Sequence, residues 1–397
     1  MKKQFIGLDV LRGFALFMTL WMHTSFYFFD GLYDLDLNNP PLIVTLIGFL
    51  LMFAGLFAMI SAFVHTHQSL LKQVKHQPKN IWQGQWVSAL FIFIIGYAYF
   101  LFTGPGLVNM TEASMDNSLL VGFIRDGIWT AMSLDRWLYV DSLIMLASNI
   151  FLLSIVFYVT SKMKLEQRSM LYLMLALGFF ILSLVRIPLY EIYLQAVENN
   201  QWGITLLLNW IVNKNNPVFP YFSFGLLGSW LALRVHQKSR HTSLLVLIVG
   251  GGLFVLGLVL YMVLPDTMLQ RSIDLKWFAI MMFQMGLFVW LVYGFVFIKG
   301  KSVIHRFFQR LGTVSLSVFF VESVVAALVY RIFIFIFGPM YFDLIHALIY
   351  GFIMATFWGL FVKVWEKTGY KGSLEHLYVR IKSRYIETSK KEKVKLL

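Results

Sequence analysis

Ten apolar runs follow one another along this chain, at about residues 5–29, 42–64, 86–103, 139–160, 169–187, 217–233, 243–264, 277–298, 313–337 and 345–363. A helix rises about 1.5 Å per residue, so a run of about 20 residues matches the hydrocarbon thickness of a bilayer. The runs are continuous and do not alternate in polarity, which argues against a membrane β-barrel. The expected fold is therefore all-α, a polytopic helical membrane protein with about 10 (10–11) transmembrane helices. Composition agrees: 59% of the 397 residues are hydrophobic, 39 are Phe and only 13% are charged. That is too apolar for a water-soluble domain or for disorder. The opening MKKQ resembles the start of a signal peptide, but the run after it is long, polar on one face and without a small-residue cleavage site. It reads as a retained first helix.

The formal net charge of +13 does not call for nucleic acid in such a chain. Ten spans put both termini on one side. On that side, the N-terminus, the loops near 66–85, 161–168, 234–241 and 299–310, and the tail from Lys363 hold 25 of the 33 Lys and Arg. The opposite connections hold six: Arg125, Arg136, Arg186, Lys214, Arg271 and Lys276. This asymmetry predicts cytoplasmic termini. The charges of the cytoplasmic loops have anionic lipid as a natural contact. Residues 1–363 read as one transmembrane domain and 364–397 as a basic cytoplasmic tail, from about Gly369 an interfacial helix followed by a disordered end. Two apolar pieces, SLLVGFIRDGIW and WGITLLLNWIVN, are short for spanning and read as interfacial or re-entrant; either could make an eleventh span.

Polar residues inside a span carry the functional signal, because a charge near the bilayer centre costs roughly 2.5–3.5 kcal/mol on insertion scales. The first run, LDVLRGFALFMTLWMH, holds Asp9, Arg12, Thr19 and His23. Arg12 and His23 are eleven residues apart and differ by only about 20° around a helix. Asp9 lies three before Arg12 and can pair with it. Gly7 and Gly13 would admit a close helix neighbour. The four polar residues form one stripe that must face the bundle interior or a wet cavity. The plainer alternatives are an interfacial Asp9–Arg12 ion pair and a packed His23.

Elsewhere, seven of the nine histidines fall at cytoplasmic ends, and only His23 and His346 lie toward the outer side. Asp141 reads as a helix cap or as a group that orients His23. Glu322 is mid-helix and needs a partner from another helix, because Arg331 lies about 180° away. Gln284 reads as interhelical hydrogen-bond glue. Pro217 and Pro220 mark the start of a helix. Motifs for nucleotide hydrolysis, zinc proteases or kinases are absent, no metal site is indicated, and no cysteine is present.

Asp-x-x-Arg-Gly near the N-terminus, with His eleven residues after the Arg, resembles the transmembrane acyltransferase superfamily. Within it, the chain is most similar to the heparan-α-glucosaminide N-acetyltransferase catalytic-domain family and its bacterial members; the Arg-x10-His spacing is shared with the acyltransferase-3 family. LLMFAGLFAMISAFV, YVDSLIMLASNIFLLSIVFY, NPVFPYFSFGLLGSWLA and FFQRLGTVSLSVFFVESVV resemble later helices of the family, in order, to about residue 330. Glu322 departs from the His or Gln common among relatives, and the long lumenal domain of eukaryotic members is missing.

The resemblance implies an acyl-CoA-dependent O- or N-acetyltransferase of the plasma membrane. Acetyl-CoA, the acyl-CoA co-substrate, would be used from the cytoplasm, and a sugar or other envelope glycan would be acylated outside. His23 would be the general base or a transient acyl carrier, with Arg12 and Asp9 completing the catalytic stripe. Arg12 would also meet the donor's phosphate or thioester region, and Lys72 and Lys75, with Lys79, Arg234 and Lys238, its nucleotide phosphates. Plain cytoplasmic topology accounts equally for those loop cations. Thr19, Asp141, Glu322, Ser315 and His346 would line the acceptor side, and Ser315, Ser317 or Asn149 could donate to an oxyanion. Without cysteine, an acyl-cysteine route is excluded. The competing class is a transporter or flippase for a small anionic or lipid-linked metabolite, although the chain shows no inverted repeat.

Overall fold

The structure, a computed structural model, describes residues 5–36, 41–44, 53–74, 77–109, 113–127, 129, 131–133, 136–137, 139–212, 216–238, 241–265, 273–300 and 302–383. It is all-α apart from one short hairpin. The helices are α1 (Ile6–Tyr27), α2 (Ala54–Gln73), α3 (Pro78–Ala98), α4 (Leu119–Asp126), α5 (Ser142–Val159), α6 (Leu165–Leu182), α7 (Arg186–Glu198), α8 (Trp202–Val212), α9 (Val218–Gln237), α10 (Thr242–Val263), α11 (Leu275–Val296), α12 (Val303–Thr313), α13 (Ser315–Phe337) and α14 (Leu344–Trp365). A helix over residues 374–383, α15, follows. The hairpin pairs β1 (Leu107–Asn109) with β2 (Ser114–Asp116).

Polar residues set where the apolar runs begin. Asp141, Asp274, Ser302 and Asp343 each stand just before a helix and accept a hydrogen bond from one of its first backbone N–H groups. Such caps satisfy donors that the helix itself cannot. Pro217 likewise precedes α9, and Phe219 is non-helical, so the two prolines do mark a helix start.

Eight helical stretches are long and apolar enough to cross a membrane. They match eight of the ten expected spans. The expected first span is α1, of 22 residues, whose apolar character is diluted by Asp9, Arg12 and His23. The span placed at 42–64 is corrected: residues 45–52 lie outside the described residues, and the helix there, α2, runs Ala54–Gln73, so it and α3 from Pro78 take up most of what was read as a loop near 66–85. The two short pieces form α4, with 8 residues, and α8, with 11, too short to span. A further expectation is corrected. The span placed at 169–187 runs as a single apolar stretch of 34 residues, Leu165–Glu198, through the 3₁₀ turn Ser183–Val185. Pro188 does not stop it, because it falls in the first turn of α7, where a backbone N–H has no helical partner to lose. Arg186, counted with a connection, lies inside this stretch and is buried.

The chain divides into two compact units, Met1–Met52, Ile94–Trp137 and Ile298–Leu397 forming the first and Phe53–Phe93 with Leu138–Phe297 the second. In the first unit α1 packs against α12, α13 and α14. Gly13 of α1 and Gly312 of α12 meet backbone to backbone. A Cβ on Gly13 would stand 1.8 Å from the Phe308 carbonyl oxygen, and one on Gly312 would stand 1.9 Å from that of Asp9. Only glycine permits this crossing. Phe17 fits edge-to-face among Phe307, Phe308 and Phe352, and Trp21 donates to the Leu348 carbonyl. Tyr27, Phe28, Ala326, Ala327, Phe342 and Tyr350 close the core at the far end of α1.

In the second unit α9 is the central element, buried without interruption from Pro220 to Leu233. It lies against α2, α5 and α6. Gly228 rests on the Met59 carbonyl, 2.1 Å from where a Cβ would be. Arg168, 1% exposed, holds its guanidinium 3.9 Å above the Phe157 ring and donates to the Phe157 carbonyl and to Gln73.

Candidate functional site

The first unit brings the polar stripe of α1 against a helix nearly three hundred residues downstream. His23 Nδ1 lies 3.0 Å from Glu322 Oε1 on α13. The same oxygen accepts the Ser323 hydroxyl at 2.8 Å. Glu322 is 1% exposed, whereas the His23 side chain keeps 19% of its surface open. A carboxylate only accepts, so a neutral His23 that donates Nδ1–H to an ionised Glu322 would carry its lone pair on Nε2. No hydrogen bond from a described residue reaches Nε2. The ring is steadied by Phe319 at 5.8 Å, which in turn contacts Tyr99 at 4.5 Å.

Tyr99 belongs to the π-turn Tyr99–Thr103 that ends α3. That turn is fixed from the hairpin side. Arg136, fully buried, donates to the Phe100 carbonyl and the Asp116 carbonyl, and stacks on Phe100. The Ser118 hydroxyl donates to the Gly104 carbonyl at 2.5 Å. Above His23 on α1, the Tyr27 hydroxyl donates to Asn117, whose amide donates to Asp126.

At the other end of the stripe, Arg12 Nη2 donates to Asp9 at 2.8 Å and Nε to the Gly312 carbonyl at 2.7 Å. The expected ion pair is present and partly exposed. Gly13 and Gly312 meet, and His23 and Glu322 meet, at positions 13 to 23 and 312 to 322. Gly312 lies on α12 and Glu322 on α13, so α1 meets two successive helices in turn, α12 at Gly13 and α13 at His23. His23 is roughly 16 Å along α1 from Arg12.

The remaining candidates separate clearly. Thr19 turns its hydroxyl back to the Ala15 carbonyl, a bond within the helix. Asp141 caps α5 through the Leu143 N–H, so the carboxylate on His23 Nδ1 is Glu322. Ser315 opens α13 and is half-buried. The Ser317 hydroxyl donates to Glu375 at 2.5 Å and accepts the Leu374 N–H at 2.7 Å. The Asn149 amide donates to the Tyr221 carbonyl and Met145 Sδ. His346 is exposed and pairs with Asp343 Oδ1 at 2.8 Å, within the cap of α14. The His346 N–H and ring hold the Asp343 carboxyl below its ordinary range. Arg331 is exposed on α13. Lys72, Lys79, Arg234 and Lys238 belong to the second unit, and Lys75 lies outside the described residues. Gln284 is corrected. It is fully buried, but neither side-chain polar atom has a hydrogen-bond partner among the described residues, so it is not interhelical glue.

The sequence reading missed Gly312, Glu375, Phe319 and Tyr99. A glycine just before the helix break at Val314 was the available signal for the first, and a Ser-x-Glu at the start of a helix for the second. Compared with known proteins, the chain matches no protein-family model and no curated protein.

Proposed function

We propose that this chain is an integral membrane acyltransferase. It moves an acyl group, acetyl first among them, from cytoplasmic acyl-CoA to a hydroxyl or amine of a sugar or other envelope acceptor on the outer side. The observation that carries the reading is the His23–Glu322 pair, a buried carboxyl group at 3.0 Å from Nδ1 of a partly open imidazole. In this reading Glu322 accepts from Nδ1–H and leaves Nε2 as the base, the arrangement that nucleophilic acyl transfer uses.

In the reaction, Nε2 takes the acceptor's proton as its oxygen or nitrogen bonds to the thioester carbonyl carbon. The carbon–sulfur bond then breaks, and the leaving thiolate takes the proton from the imidazolium. Glu322 stabilises that imidazolium without being protonated itself. Arg12, held by Asp9 and the Gly312 carbonyl, still has N–H groups for the anionic donor. The charge asymmetry of the loops supports placing Arg12 at the cytoplasmic end and His23 toward the outside.

Sided membrane vesicles test this. Inside-out vesicles given acyl-labelled acetyl-CoA should leave label on acceptor trapped in the lumen, and right-side-out vesicles given the same donor should leave none. Equal labelling in both orientations would overturn the transmembrane route. Uptake of intact donor without transfer would favour the transporter reading.

A further inference from the structure

After α14 the chain reverses through the 3₁₀ turn Glu366–Thr368 and left-handed Gly369, Tyr370 and Gly372. Glu366 accepts from Arg310 of α12 at 2.7 Å, and Trp365 Nε1 donates to the Lys371 carbonyl. Burial, with the Glu366 carboxylate nearby, pushes the Tyr370 phenol up to about 12. The chain then starts α15 with Ser373 as its cap, bonded to the His376 N–H. Glu375 accepts from the backbone N–H groups of Leu316 and Ser317 at 2.8 and 3.3 Å, as well as from the Ser317 hydroxyl. The start of α15 is thus tied to the start of α13, and each helix caps the other.

This root fixes where α15 can lie. The helix α13 is one of the eight stretches apolar enough to span a bilayer, so its first turn marks a membrane boundary. At 100° per residue, Leu374, Leu377, Tyr378 and Ile381 share an arc of about 100° on α15. Leu377 and Ile381 are 47% and 39% exposed. Arg380 and Lys382 fall on opposite flanks of that arc, and the Lys382 ammonium lies over the Tyr378 ring. An apolar stripe flanked by cations, anchored at the boundary, suits neither the hydrocarbon nor free water. The helix before α13, α12, exposes Val303 and Ile304 in its first turn, beside Arg306. The sequence after α15 continues basic, with Arg384, Lys390, Lys391, Lys393 and Lys395 against Glu387 and Glu392.

We propose that α15 is a binding arm for anionic phospholipid headgroups. It lies in the interface with Leu377 and Ile381 among the upper acyl chains and Arg380 and Lys382 on the phosphates, while Glu375 keeps its root on α13. Cations attract anionic leaflets over about a Debye length and add to the apolar contact.

The natural absence of cysteine allows a single environment-sensitive label at Ile381→Cys in the full-length protein. It would be reconstituted in nanodiscs of phosphatidylcholine alone or of phosphatidylcholine with about a third phosphatidylglycerol. Quenching by spin-labelled acyl chains then reports docking. The docked-to-free ratio should be about tenfold higher in the anionic nanodiscs, and the difference should vanish in high salt. Arg380→Glu with Lys382→Glu should abolish the lipid preference. Glu375→Ala should free the root without removing it. Equal docking in both lipids would overturn the headgroup assignment, as would burial of the label that rises with protein density and not with anionic lipid, which would mark a second copy as the partner.

Discussion

The two units treat buried cations and ionisable groups in opposite ways. In the first, side chains that can carry charge meet each other: His23 with Glu322 between helices, Arg12 with Asp9 along one helix, and Arg136 with Asp116 of the hairpin. In the second, Arg168 answers to a carbonyl, an amide and two aromatic rings, with no carboxylate among the described residues. A cation held by rings and carbonyls is fixed and chemically quiet. An imidazole held by one carboxylate, with its second nitrogen open, can trade a proton. The difference lies in the partner more than in burial, since both Arg168 and Glu322 are 1% exposed.

The largest expected effect strikes the imidazole. His23→Ala should lower acyl transfer by about 100- to 10,000-fold, the usual range for a general base, with the protein still folded and inserted. Glu322→Gln should lose less, on the order of 100-fold in kcat with acceptor KM little changed. Kinetics in proteoliposomes read both, and full activity in His23→Ala would remove the dyad from the chemistry. The next effect is structural. Gly312→Ala puts a Cβ 1.9 Å from the Asp9 carbonyl oxygen, so α1 and α12 must part. A cost of about 1–3 kcal/mol and a weakened His23–Glu322 contact should follow, seen as a lower melting temperature together with reduced transfer.

Arg168→Ala sharpens the contrast from the other side. Losing its packing and hydrogen bonds should cost about 1–3 kcal/mol of stability, while the folded fraction keeps its kcat. If Arg168→Ala instead abolished transfer at an unchanged melting temperature, the division between quiet and reactive charges would fail. The smallest effect belongs to the exposed cap of α14. The Asp343 carboxyl is held below its ordinary value of 3.8 by the His346 N–H and ring, so its contribution is present above 3.8 and is lost as pH falls through the lowered value. Asp343→Ala should lower the melting temperature slightly at neutral pH, and the gap from the parent should close only in strong acid. A gap that widened on acidification would contradict the cap.

The sequence predicted whichever features repeat locally. Apolar runs of fixed length located the helices, and a three-residue spacing placed Asp9 beside Arg12. Pairings between distant segments had no local trace. Nothing around Glu322 names His23 as its partner, although a mid-span carboxylate did demand one from another helix. The length of Leu165–Glu198 was hidden because Pro and Arg usually close a run, whereas here Pro188 falls in a first turn and Arg186 turns inward to the Val212 carbonyl. Gln284 shows the reverse error, since a polar residue in a span suggested a bond that none of the described residues supplies.

The Gly13–Gly312 crossing also has a consequence in time. The residues that complete the surroundings of α1 are made 300 positions after it. At about 5–20 residues per second, a ribosome needs roughly 15–60 s to deliver them. Through that interval Arg12 already has Asp9, three residues away on its own helix, but His23 has no Glu322 and Gly13 has no neighbour. The first helix must therefore wait, half-finished, while the whole second unit is synthesised. Chains cut short before residue 302 should linger with insertion chaperones or be degraded, whereas chains cut after 383 should not.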